Sequence, residues 1–442
     1  MTSRRILRLG ASVKGLGYHP GGWRFPGLPT TADLSFYREM ADTAQRGLFD
    51  LVFIPDRLAV RAYERPPGAV GQASTVTDLE PLTVLAALAP LTSHIGLAAT
   101  MSTSFQEPFH IARFFSSLDH ISQGRAAWNV VTSTLDDEAR NFGQDRMPSK
   151  AERYARANEA VDIVTRLWDS WDADAFPRDK ASGRYFDPGK MHRLDYESAR
   201  FRVRGPLNVP RAPQGRPVIV QAGASPAGRE LAARTADVVY AVQNRLADAQ
   251  AYYRSVKDRM AAYGRHPDDL LVLPGILSVV GDTRAEARSR YRAMQELVEP
   301  ALGLAHLSVM LGDLSGYDLD GLLPAMEEET TAPSRRRLLL DTARQRNLTI
   351  RQLYQSTAIA NGHLEAVGTV AQVADLMEEW FAEGAADGFN VMSALAPDSL
   401  QEFVRQVVPE LQRRGIFRTA YEGSTLRENL GLTGRHGPDA VA

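Results

Sequence analysis

The stretch Val218-Ile219-Val220-Gln221-Ala222-Gly223-Ala224-Ser225-Pro226-Ala227-Gly228-Arg229 reads as one complete strand, turn and helix start. Consecutive β-branched residues suit a strand buried on both faces. Gly223 marks a tight turn. Ser225 stands at a helix N-cap, and Pro226 at the first helical position, where the missing N–H costs nothing. Such a start aims free backbone N–H groups and the positive end of the helix dipole at one point, which makes an anion site. Arg229 adds a positive charge nearby. An ordinary capped turn carries the same signature, so the segment alone leaves both readings open.

The same unit recurs on either side. Strands are expected at Ile6–Val13, Leu51–Pro55, Ile95–Met101 and Arg125–Val131, then at Val218–Gly223, Asp237–Ala241, Leu271–Val280 and Gly388–Met392. Apolar residues at helical spacing predict helices over Phe36–Arg46, Pro81–Leu91, His110–His120, Arg153–Trp171, Pro226–Arg234, Ala247–Tyr263, Arg284–Leu297, Val370–Glu383 and Ser399–Arg414. Eight strands alternating with helices predict an α/β fold of the (β/α)8 TIM-barrel type. No Gly-x-Gly-x-x-Gly follows the first strand, and Gly15-Leu16-Gly17 and Gly21-Gly22 do not fit that spacing, which speaks against a dinucleotide-binding open sheet. The alternation pauses over about 133–216 and about 299–361. Both are read as long insertions at the C-terminal face of a single domain spanning residues 1–442. The first holds one strong helix and a Pro- and Gly-rich stretch, Tyr185 to Gly215, expected as irregular loop or a small hairpin.

Composition narrows the function. Lys and Arg number 51 against 53 Asp and Glu, so no basic surface favours nucleic acid. There is no cysteine, which removes disulfides, thiolate catalysis and cysteine metal sites. No stretch approaches the ~20 apolar residues of a membrane span. The N-terminal apolar run is short and broken by Arg8, so the expected location is cytoplasmic.

In a barrel of this kind functional groups follow the strands. Here they are Asp56, then Thr100, Ser102 and Thr103, then Asn129, Thr132 and Ser133, then Gln221 and Ser225. Small polar residues end strands in many proteins. As a set, this ring of neutral donors and acceptors with one carboxylate suits an uncharged heteroaromatic ring system. Trp128 reads as packed core, whereas Asn129 beside it must find hydrogen-bond partners. The nine histidines show no metal-site spacing, and Gly223-Ala224-Ser225-Pro226-Ala227 misses the Gly-x-Ser-x-Gly nucleophile pattern at its last position. Without a nucleophile or an acid–base pair, a borrowed cofactor is the economical source of reactivity.

Several stretches carry a family resemblance: His19-Pro20-Gly21-Gly22-Trp23-Arg24, Glu107-Pro108-Phe109-His110-Ile111-Ala112-Arg113, Trp128-Asn129-Val130-Val131-Thr132-Ser133, Asn141-Phe142-Gly143, Arg153-Tyr154, Val203-Arg204-Gly205-Pro206-Leu207-Asn208-Val209-Pro210 and Gln221-Ala222-Gly223. On these the chain resembles, over nearly its whole length, the luciferase-like flavin monooxygenases, in the branch with nitrilotriacetate monooxygenase, the pristinamycin synthase large subunit and dibenzothiophene sulfone monooxygenase. The resemblance implies FMN at the C-terminal face of the barrel. It would arrive as FMNH2 from a separate NAD(P)H:flavin reductase, react with O2 to a C4a-flavin (hydro)peroxide and oxygenate a small organic substrate. By motif position Asp56, Thr100, Tyr154 and Ser225 correspond to flavin contacts, with Ser225 on the phosphate and Asn129 near the ring. Relatives tend to carry His four residues before the Tyr, where this chain has Lys150. A lysine can pair with phosphate as a point charge but does not titrate near neutral pH, so Lys150 is expected on the FMN phosphate and not in proton transfer. No residue is assigned as acid or base, and no metal is expected.

The run Asp179-Lys180-Ala181-Ser182-Gly183 through Asp187-Pro188 resembles the sulfone enzymes, which points to an organosulfur substrate such as an aromatic sulfone. The family also implies a homo-oligomer, dimer or tetramer. Two alternatives remain: an FMN- or F420-dependent oxidoreductase without oxygenation, and a non-catalytic flavin-binding barrel.

Overall fold

A computed structural model describes residues 5–60, 66–326 and 334–432. The first half alternates as expected: β1 (Arg8–Ser12), α1 (Leu34–Arg46), β2 (Leu51–Ile54), α2 (Pro81–Leu88), β3 (Gly96–Ser102), α3 (Pro108–Ile121) and β4 (Ala126–Val131). The first insertion holds α4 (Asp136–Arg140), α5 (Lys150–Trp168) and a small antiparallel hairpin, β5 (Tyr196–Glu197) with β6 (Arg202–Val203). The barrel resumes with β7 (Val218–Gln221), α6 (Pro226–Thr235), β8 (Val238–Ala241), α7 (Leu246–Met260), β9 (Leu271–Val280) and α8 (Arg284–Glu296). The second insertion contributes α9 (Pro300–Leu311), α10 (Ser334–Arg346) and α11 (Ile350–Ala360). Then come β10 (Leu364–Gly368), α12 (Val370–Ala382), β11 (Gly388–Met392), α13 (Asp398–Glu402), α14 (Val408–Arg413) and α15 (Leu426–Asn429).

Eight parallel strands close in the order β9-β11-β1-β2-β3-β4-β7-β8, with β8 returning to β9. This is the (β/α)8 barrel predicted from the alternation. One correction concerns β10, a ninth parallel strand that pairs with the upper half of β9, Leu364 against Ile276 through Gly368 against Val280. Its five residues alternate buried and half-buried and include Glu365 and Gly368. That pattern lacks the continuous apolar run that marks the barrel strands, so the sequence alone gives the segment no strand. The expected helix Arg153–Trp171 in fact begins at Lys150, because Ser149 Oγ accepts from the Glu152 amide and Glu152 Oε2 accepts from the Ser149 amide. Trp171 lies beyond it, its indole N–H donating to the Leu207 carbonyl at 2.7 Å. The expected helix Ser399–Arg414 is split by a π-helical turn, Phe403–Val407, just before Pro409, whose ring and missing N–H disrupt the regular ladder.

Strand residues sort by period two. Leu51, Phe53, Ala98, Ala127, Val218 and Val220 share one cluster inside the barrel, while Val52, Ile54, Leu97, Trp128 and Ile219 pack outward against the helices. The lower end is plugged by Leu426, Leu430 and Leu432 from the C-terminal segment, which belong to the same interior cluster. Two buried ion pairs anchor that segment: Arg418 on Asp50, and Arg427 on Asp237 through two 3.0 Å contacts.

Removing one partner of a buried pair costs more than removing both, since an isolated charge stays behind. Arg427→Met is expected to destabilise the protein by about 3–5 kcal/mol, read by thermal or urea unfolding. The double variant Arg427→Met/Asp237→Asn is expected to recover part of that loss.

Candidate functional site

The upper ends of β3 and β4 meet in register, Thr100 opposite Asn129. Each lies two residues beyond an inward-facing alanine, Ala98 and Ala127, so both side chains point into the barrel. The Asn129 amide donates to Thr100 Oγ1 at 2.9 Å, and the Thr100 hydroxyl donates to the Ile54 carbonyl at 2.9 Å. Asn129 Oδ1 is buried and makes no hydrogen bond. An acceptor left so costs ~1–3 kcal/mol. Trp128 is fully buried on the opposite face of β4, its indole N–H on the Met101 carbonyl at 3.0 Å.

At the top of β7, the strand that pairs with β4, the turn has the form read from sequence. Ser225 Oγ caps α6 by accepting from the Gly228 amide at 3.2 Å, and Pro226 follows at the helix start. The Gln221 side chain accepts from the Gly223 amide at 2.8 Å, so it fixes the turn instead of facing the barrel. Gly223 and Gly228 touch: a Cβ on either would stand 2.7 Å from the other's Cα. A Cβ on Gly228 would also lie 2.9 Å from Tyr154 Oη. This close approach leaves a bare backbone cradle beside the Ser225 and Tyr154 hydroxyls, which are 3.5 Å apart. Lys150 lies one helical turn before Tyr154 on α5, on the same face, exposed and without an ion pair among the described residues. Arg229 does not add a charge aimed at the cradle. Its guanidinium returns to the Ala224 carbonyl at 3.0 Å and the Ser255 hydroxyl at 3.0 Å, stacked on Tyr252.

Asp56 stands apart from these two groups, beyond β2. Burial pushes its carboxyl up, and the neighbouring Glu80 and Glu138 add to the shift. Glu138 closes this rim by accepting from the Leu58 amide at 3.2 Å and from the Thr134 and Leu135 amides at 3.0 Å. Asp56 borders a cavity of about 190 Å³ with Asp78, His306 and His363, none of which sequence spacing singled out. Residues 306 and 363 come from the second insertion and its exit, so only folding brings them to Asp56. Tyr18 has no sequence signal either. It is half-buried beside Ser12 with its hydroxyl pushed up to about 12 by desolvation, so it stays protonated. His19 from the His-Pro-Gly-Gly motif is structural. Burial pushes its pKa down to about 4, Nδ1 accepts from the Gly21 amide at 3.0 Å, and Nε2–H donates to the Met294 carbonyl at 2.7 Å. Among the described residues no group of three or more His, Asp or Glu could hold a metal ion, and no helix is long and apolar enough to cross a membrane.

Residues 18–388 match the model of the luciferase-like monooxygenase family. The chain belongs to that family. It is 49% identical to nitrilotriacetate monooxygenase component A of Aminobacter aminovorans, with 98% of each chain covered. It is 47% identical to N-acetyl-S-(2-succino)cysteine monooxygenase of Bacillus subtilis (strain 168), again with 98% of each covered. A crystal structure of DmoA from Hyphomicrobium sulfonivorans superposes with a TM-score of 0.88 at 32% identity, covering 98% of this chain and 93% of that one. The chain is thus a flavin-dependent monooxygenase, in the branch that the Trp128–Ser133 motif indicated.

In this luciferase-like monooxygenase the Ser225 cap is separable from any ligand. Ser225→Ala is expected to cost about 1 kcal/mol of stability, and Ser225→Asp, which also caps, to cost less. Urea unfolding of the three proteins reads both.

Proposed function

We propose that the chain binds FMN across the barrel mouth, receives it reduced from a separate NAD(P)H:flavin reductase, and oxygenates a small organosulfur compound. The observation that carries this reading is the pairing of two features on neighbouring strand tops. A helix start with two hydroxyls and a bare backbone cradle suits a phosphate. A buried amide oxygen in search of a donor suits the N–H-bearing edge of a flavin ring.

Ser225 Oγ, the free amides of α6, the Tyr154 hydroxyl and the Lys150 ammonium would hold the phosphate. Thr100, Asn129 and Asp56 would meet the ring. FMN, when bound in reduced form, supplies the two electrons with which one atom of O2 enters the substrate and the other leaves as water. The chain's own part is to bind, to orient and to keep water out. The buried Thr100–Asn129 pair fixes one edge, Glu138 holds the rim together, and Tyr18 remains a donor across the working pH range.

The relative named for N-acetyl-S-(2-succino)cysteine supports a sulfur-bearing substrate, and the name component A of the nitrilotriacetate enzyme supports a partner reductase. The same family analogy supports a dimer or tetramer. An F420- or FMN-dependent oxidoreductase without oxygenation would turn over under argon. A flavin carrier would bind FMN and consume no O2.

Two measurements test the proposal. With FMN, a generic flavin reductase and NADH, the protein is expected to consume O2 in step with an organosulfur substrate; substrate turnover unchanged under argon refutes oxygenation. Ser225→Asp and Lys150→Ala are each expected to weaken FMN binding at least tenfold, followed by flavin fluorescence. Unchanged affinity in Lys150→Ala removes that residue from the phosphate site.

A further inference from the structure

The cavity of about 190 Å³ beside Asp56 is small against the ~300–1,000 Å³ of pockets for drug-sized ligands. Its lining is unusual for its size. Six of the twelve residues are Lys, Arg, His or Asp, and three are aliphatic. Lys14 follows β1 and Arg57 follows β2, so two fixed cations come from the barrel. The two imidazoles come from the other side, His306 on α9 and His363 between α11 and β10.

The backbone is shaped to seat these groups. Asn361 at φ 51° and Gly362 at φ 84° reverse the chain at the end of α11, and the His363 amide donates back to the Ala360 carbonyl at 2.9 Å. The imidazole then lies against Gly275 of β9, where a Cβ would stand 2.2 Å from Nδ1. In a strand otherwise rich in Leu, Ile and Val, glycine makes the niche for a histidine. Asp78 is seated likewise: a Cβ on Gly15 would stand 2.5 Å from its Oδ1. Burial pushes the Asp78 carboxyl up to about 6, with Lys14 and then Arg57 pulling the other way, and burial raises Asp56 too. Both carboxyls therefore take up a proton more readily than exposed ones. Once they are protonated, a multiply charged anion can replace them as counter-ion to Lys14 and Arg57.

We infer that this pocket selects a substrate bearing at least two carboxylates, held between Lys14 and Arg57 on the barrel side and His306 and His363 on the insertion side. This selection rests on the monooxygenase reading only for the chemistry after binding. A carboxylated thioether satisfies both this pocket and the organosulfur expectation. Dibenzothiophene sulfone offers these four groups no charge to answer.

Isothermal titration of the full chain with N-acetyl-S-(2-succino)cysteine, nitrilotriacetate and dibenzothiophene sulfone tests the inference. At least one of the two carboxylates is expected to bind, and the sulfone is not. Arg57→Gln, His306→Gln and His363→Gln are each expected to weaken that binding at least tenfold while FMN affinity stays within twofold. The three substitutions lie on separate elements, and a melting curve for each identifies any that misfolds. Failure of both carboxylates to bind, or binding indifferent to every folded variant, overturns the inference. Oxygen uptake with FMN, reductase and NADH separates the two readings. A carboxylate that binds as expected without O2 uptake refutes the monooxygenase reading and leaves the pocket assignment standing. Uptake with the sulfone alone does the reverse.

Discussion

Three aspartates at the floor of the barrel set the height of everything above them. Asp50, Asp237 and Asp387 each stand immediately before a strand, and each accepts the amide of a residue in the neighbouring strand: Leu9 at 2.7 Å, Ile219 at 2.8 Å and Val272 at 2.9 Å. They pin β2 to β1, β8 to β7 and β11 to β9. A carboxylate taken out of water costs several kcal/mol unless it is paired. Each therefore draws a cation: Arg418 to Asp50, Arg427 to Asp237, and Arg5 with Lys257 to Asp387. A register slip would strand both the charge and the amide. Two of these cations lie in the C-terminal segment, which makes that segment part of the barrel and closes its lower end.

With the floor fixed, the strand tops fall where chemistry can use them. Thr100 and Asn129 meet because β3 and β4 pair in one register. The turn after β7 faces α5 because the Gly223–Gly228 contact lets α6 start close to Tyr154. The two halves of the site differ in character. One is a rigid pair of buried hydrogen-bonding side chains, costly to leave unsatisfied. The other is backbone and helix dipole, open to an anion. A cofactor with a polar ring at one end and a phosphate at the other spans that difference.

The insertions add what the barrel lacks. The first supplies α5, with Tyr154 beside the α6 start. The second supplies α9 and α11 and then turns sharply into β10, which lies along the upper half of β9. That extra strand carries His363 to the mouth. The Ser225–Tyr154 cradle thus draws on barrel and first insertion, and the ionisable pocket on barrel and second insertion.

Much of this was legible in the residues. Local rules sufficed wherever one segment satisfies itself. Apolar runs and helical spacing located the eight barrel strands, and the Ser225-Pro226 start announced its own cap, because N-cap and first-turn preferences act within a few residues. The motif around Trp128 and Asn129 identified the family branch. The sequence could not show that Asn129 Oδ1 is left without a partner, that Gln221 turns away to hold Gly223, or that the Arg229 charge is spent on its own turn and α7. It could not find β10, whose half-buried alternation becomes a strand only because β9 offers a free edge. Nor could it join Lys14, Arg57, His306 and His363, spread over some 350 positions of chain. The sequence by itself determined the elements and the capped turn after β7, since those depend on near neighbours. Tertiary structure alone decided which distant charges share one small cavity, since that depends on the register and closure of the whole barrel.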